Sequence, residues 1–189
     1  MTSRTALEVL RKSALASLLV VTVAVPLVAN AASASAARMP SCNEPQLKFA
    51  NRAIAPALTH VADLVEITNV SRRACTLTGY AKVTLTTTAS PTPVVAVQRR
   101  RGYFGGLSPT YKSQVLPVSI LGAHTGTASF IVEESDELLG SATPCPFFTK
   151  LSFTLKGFDF TYTFRVRLPA CDRPGALPIV KGTKGSWGY

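Results

Sequence analysis

Four cysteines and two histidines carry the most chemistry in this chain: Cys42, Cys75, Cys145 and Cys171, with His60 and His124. Thiolates and imidazoles hold zinc when they fall in closely spaced pairs. No C-x-x-C pair occurs, and the two histidines are far from each other and from metal-ligand spacing. No metal site and no cofactor is therefore expected. A nucleophilic thiol needs a setting that lowers its pKa, and only Arg72 and Arg73 beside Cys75 offer one.

Compartment decides between the remaining uses of the cysteines. Arg4, Arg11 and Lys12 precede the apolar stretch from Ala14 to Val28, and the small residues "ANAASASAA" follow. This is the three-part layout of a secretory signal peptide. Cleavage is expected between Ala31 and Ala37, so residues 1–37 are read as the signal peptide. Losing Arg4, Arg11, Lys12 and Glu8 takes the net charge from +10 to +8. No later segment approaches the roughly 20 apolar residues that a membrane helix needs. An even number of cysteines in an exported chain points to disulfides. Of the three pairings, Cys42 with Cys75 and Cys145 with Cys171 join neighbouring segments and are preferred. A lipid anchor at Cys42 is disfavoured, because "MPSC" has a proline where a lipobox has a small residue.

Other reaction signatures are missing. There is no G-x-S-x-G, S-x-x-K or H-E-x-x-H, and no phosphate-cradling glycine loop. The acids Glu133, Glu134, Asp136 and Glu137 lack EF-hand spacing and read as a solvated turn. His60 and His124 read as strand-end or turn residues with no nucleophile placed beside them. No catalytic residue is assigned and no enzyme is expected. Asn69-Val70-Ser71 matches a glycosylation sequon but reads as an unmodified turn.

The most distinctive surface candidate is "VQRRRGYFGGLSPTYK", residues 97–112. Arg99, Arg100 and Arg101 form a triple basic run, and Tyr103 and Phe104 follow among glycines. Guanidinium forks pair with carboxylates and phosphates, and loops on rigid scaffolds commonly carry recognition. An anionic cell-envelope polymer or an acidic protein face is the expected partner of this candidate binding loop. The competing reading is a solubilising hairpin loop with an aromatic folded back on the sheet. Specific nucleic-acid binding is not expected.

The elements that must position these residues are strands. In "FTYTFRVRL" the residues Phe160, Tyr162, Phe164, Val166 and Leu168 alternate with polar ones, and "KLSFTLK" does the same with Leu151, Phe153 and Leu155. With "KGFD" between them the two predict a hairpin. Further strands are expected in "PQLKFA", "HVADLVEIT", "AKVTLTTT", "PVVAVQ", "SQVLPVSI" and "TASFIVEE". Only "SDELLGSA" looks helical. Gly79 is expected to supply a positive φ, with Tyr80 leaning over the disulfide of Cys75. Many short antiparallel strands predict an all-β sandwich over residues 38–175, followed by a mobile tail over 176–189.

Cys42, a long strand ending in "TNVS", then "CTLTGY" and "VTL" resemble the secreted actinobacterial family known as a domain of unknown function (DUF4232). "GAHTGTASFIV" is similar to that family's turn into a strand rich in small residues, and Cys145 and Cys171 sit where its later cysteines do. The resemblance covers roughly residues 42–171 and is sharpest from Asn69 to Tyr80. Ala81 and Lys82 depart from the proline and glycine that often follow the family's Gly-Tyr pair. The resemblance implies export, an immunoglobulin-like sandwich and disulfides, and it brings no activity. The expected function is that of a secreted, non-catalytic extracellular or cell-envelope binding domain. A protease inhibitor and, behind it, an enzyme built on the two histidines are the alternatives.

Overall fold

The computed structural model describes residues 39–135 and 145–187. The expected signal peptide, and all of the expected helical turn "SDELLGSA" except Ser135, lie outside the described residues.

Among the described residues, a single 3-10 turn at Glu44–Gln46 is followed by strands. In order they are β1 (Leu47–Ala57), β2 (His60–Asn69), β3 (Cys75–Thr78), β4 (Lys82–Thr87), β5 (Val94–Val95), β6 (Val97–Gln98) and β7 (Gly106–Leu107). Then come β8 (Val118–Leu121), β9 (Thr127–Ser135), β10 (Phe147–Thr154), β11 (Tyr162–Pro169), β12 (Gly175–Ala176), β13 (Val180–Lys181) and β14 (Ser186–Trp187).

One sheet runs β1-β2-β9-β12-β6, with β13 also paired to β9, and the other runs β11-β10-β4-β5. Pairing is antiparallel except for β12 with β6 and β14 with β7. The two sheets face each other as a β-sandwich, as expected. Phe130 of the first sheet meets Phe153 of the second edge-on, with ring centroids 5.3 Å apart, and Phe49 closes on Phe153 at 5.4 Å. Burying each such ring contributes roughly 2 to 3 kcal/mol. The alternation read in "KLSFTLK" is observed: Leu151, Phe153 and Leu155 are buried. Across the hairpin, Phe153 is opposite Tyr162.

Both preferred disulfides are present. Cys42 is bonded to Cys75 with Cα atoms 4.8 Å apart, and Cys145 to Cys171 at 5.2 Å. The first bond fastens the N-terminal segment beside β3, where the Cys42 amide also donates to the Thr76 carbonyl. The second closes the open end of the β10–β11 hairpin, next to the bond from the Ala170 amide to the Pro146 carbonyl.

Three expectations about elements are corrected. "PVVAVQ" is not one strand: β5 pairs with β4 and β6 pairs with β12, so the chain changes sheets at the buried Ala96. "SQVLPVSI" is extended only from Val118, because Pro117 cannot donate to a ladder. The tail expected to be mobile is built into the domain. Leu177, Ile179 and Val180 are buried, β13 pairs with β9, and β14 pairs with β7. The apolar run there has the β2–β9 ladder to cover. No helix among the described residues is long and apolar enough to cross a membrane.

Candidate binding surfaces

The loop from β6 to β7 is held by its own side chains. Arg99 donates from Nη2 to the Arg173 carbonyl at 3.3 Å. Arg100 donates to the carbonyls of Ser113, at 2.5 Å, and Gln114, at 3.4 Å, and its guanidinium lies over the Tyr111 ring. Gly102 donates to Gly105, and Gly106 takes a φ of 90° that favours glycine. The resulting turn presses Phe104 onto Leu64, Ile131 and Leu177, on the face of the β2–β9 ladder opposite the main core. Tyr103 stacks on His60.

The five residues of the candidate binding loop therefore divide. Arg99 and Arg100 anchor backbone, Phe104 is packed, and Arg101 and Tyr103 remain exposed without packing into a core. The expected recognition loop is largely a structural clasp. Its arginines find carbonyls at Ser113, Gln114 and Arg173, in neighbouring segments that lie outside the strand ladders.

The acids also differ from expectation. Glu133 and Glu134 do not sit in a solvated turn, because β9 continues to Ser135 opposite His60. Both are buried in that strand. Glu133 accepts from the Phe104 amide at 3.3 Å. Glu134 has no hydrogen-bond partner among the described residues. Burial foremost, then the charge of Asp172, pushes its pKa up to about 8, against the opposing pull of Arg99. Asp63, buried nearby in β2, is raised by burial as well, with the bond from Asn51 acting the other way.

His60 and His124 do not meet. His60 opens β2, while His124 lies in the turn before β9, beyond the far end of the same ladder. Eight residues of strand separate His60 from Thr68, a distance of roughly 27 Å.

Asn69 is completely buried. Its Nδ2 donates to the carbonyls of Arg73, Leu121 and Gly122, and its Oδ1 accepts from the Ser71 amide and hydroxyl. The sequon asparagine is thus a structural knot with no free amide to modify.

A surface that sequence reading missed lies across the second sheet and around its end. One hollow of about 310 Å³ opens beside Cys42, between Thr76, Thr78 and Phe158, and is floored by Leu77 and Ile179. It shares Leu155 and Lys156 with a second hollow of about 420 Å³, which Tyr80 and Gln98 also line. That one shares Lys82 and Thr154 with a third of about 170 Å³, bordered by Thr84, Ser152 and Thr161. Gly79 has the expected positive φ, 93°, and aims the chain so that Tyr80 lines the middle hollow. Burial pushes the Tyr80 pKa up, with Arg100 opposing. The outward residues of β4 and β10 read in sequence only as a solvent face, because alternation marks a side of a sheet and not its curvature.

The model of one protein family matches residues 42–175, and no curated protein and no solved structure matches the chain. That span holds both disulfides and most of both sheets, and it agrees with the resemblance read from "TNVS" and "CTLTGY". The protein belongs to the family described as a domain of unknown function, DUF4232.

Proposed function

We propose that this protein is a secreted, non-catalytic extracellular or cell-envelope domain that binds an anionic partner. The observation that supports the reading is the segregation of its charges. Asp63, Glu133 and Glu134 are buried, Glu66 is paired with Arg52, and Glu44 accepts the Tyr162 hydroxyl at 2.9 Å. Asp159 and Asp172 are the exposed carboxylates among the described residues. Every described lysine and arginine except Arg100 is exposed. Among the described residues, the surface that a partner meets is therefore strongly cationic. Two disulfides without a free thiol suit an oxidising compartment.

Two measurements test this. Intact mass of the protein recovered from culture medium should correspond to a chain starting between residues 32 and 38. A pulldown with isolated envelope fractions should retain the mature protein, and raising the salt concentration should weaken that retention. Recovery of the uncleaved chain inside cells, or no retention on any fraction, would contradict the reading.

A further inference from the structure

We propose that the three joined hollows form one track for a linear, carboxylate-bearing polysaccharide. The inference rests on the anionic-partner reading, but it puts the partner on the second sheet and not on the arginine loop.

Continuity comes first. Leu155 and Lys156 belong to both the first and second hollows, and Lys82 and Thr154 to both the second and third. A ligand laid over these shared residues would run from Thr76, past the β10–β11 turn, to Thr161. The floor is rigid: Leu85, Leu151 and Phe153 are buried beneath it, and β10 is paired on both sides.

The chemistry of the wall comes second. Hydroxyls supply most of the polar groups, with Lys82 and Lys156 as the cations, and no Asp or Glu lines any of the three hollows. Hydroxyl pairs such as Thr154 with Thr161, at 2.9 Å, and Ser152 with Thr163, at 3.0 Å, orient one another. Each hydroxyl has one donor and two acceptor sites, so each pair keeps capacity for a ligand's own hydroxyls. Tyr80 adds an apolar ring with a polar tip, a surface suited to the mixed faces of a sugar.

Spacing selects a polymer over a small anion. Lys82 is opposite Thr154, and Lys150, beside Arg165, lies four residues further along β10, roughly 13 Å away. Cations thus recur along the strip of hydroxyls, with Lys156 and Lys82 where adjacent hollows meet and Lys150 beyond the third hollow. A chain of repeated anionic sugars can reach several of them, whereas a single small anion reaches one. A single-stranded nucleic acid would want successive aromatic platforms; the track offers Phe158 in the first hollow and Tyr80 in the second, with Phe153 buried beneath the third, so the oligonucleotide is the competing ligand.

The test uses the mature protein with both disulfides formed and labelled polygalacturonate as probe, followed by fluorescence anisotropy at about 150 mM salt. Neutral dextran and a single-stranded oligonucleotide serve as comparison probes. Wild type should bind polygalacturonate and not dextran, and binding should fall about tenfold in Lys82→Gln/Lys156→Gln, as expected for losing charge-assisted contacts. Arg101→Ala should bind polygalacturonate like wild type. The bound polymer should also protect Lys82 and Lys156 from acetylation. If the double variant binds as tightly as wild type, the track is wrong while the anionic-partner reading survives. If wild type binds neither polyanion, the track is overturned, and envelope retention then decides the anionic-partner reading separately. Tighter binding of the oligonucleotide than of polygalacturonate overturns the choice of ligand.

Discussion

The imidazole of His60 lies flat against the ring of Tyr103, with centroids 4.2 Å apart and 14° between the planes. That stack fastens the β6–β7 loop to the first residue of β2, and Tyr103 in turn meets Phe104 edge-on at 5.1 Å. A loop that looks in sequence like a free basic arm is thereby closed over Ile131 and Leu64.

Truncations of the clasp should be read out as stability. Tyr103→Ala removes a stacked pair at a half-exposed position and should cost about 1 kcal/mol. Phe104→Ala removes a ring packed on Leu177 and should cost about 2 to 3 kcal/mol. Urea unfolding checks both, and equal small effects would show that the loop does not close as described.

Asn69 should be among the least replaceable polar residues. Asn69→Ala leaves the carbonyls of Leu121 and Gly122 and the Ser71 amide without their shared partner, which should cost about 3 kcal/mol. In a domain of this size that lowers Tm by roughly 10 °C. A melting curve matching wild type would contradict the knot.

Each disulfide should contribute about 3.5 kcal/mol in the chain-entropy picture, with sequence separations of 33 and 26. Paired Cys→Ala variants followed by chemical denaturation give the two values. Non-reducing peptide mapping should join Cys42 to Cys75, and a Cys42–Cys145 peptide would refute the pairing.

Glu134 gives stability a pH dependence. Its folded pKa, about 8, lies above its ordinary value of 4.5, chiefly because the carboxyl is buried. The folded state then binds more protons than the unfolded state between those values, so stability falls as pH rises through that window. Asp63 is shifted the same way. Tm should decline from about pH 5 to pH 8, and Glu134→Gln should flatten the decline. A flat wild-type profile would mean that the carboxylate is solvated.

The strands with strict alternation were legible because period two is a direct consequence of the pleat. "FTYTFRVRL" buries Leu168 and keeps Thr163, Arg165 and Arg167 exposed. The disulfide pairs were legible because each closes a local loop. The fate of the tail was not, since Leu177 and Val180 are too few to announce a strand and acquire meaning only once Ile131 and Ser129 lie beneath them. Glu133 and Glu134 were misread because sequence shows a charge and not the loop that covers it.

The candidate site was the least legible part. Arg99 and Arg100 are residue types that bind anions, yet here they satisfy backbone carbonyls. Lys82 and Lys156 look like ordinary solvent-facing lysines until β4 and the β10–β11 turn put them along one track.

The central claim is that the exposed cations of this domain engage an anionic extracellular partner. Retention of the mature protein on isolated envelope material, measured from about 50 mM to 1 M salt, tests it most directly. The account predicts retention at physiological ionic strength that declines steadily as salt screens the contacts. No retention at any salt, or retention indifferent to salt, would contradict it.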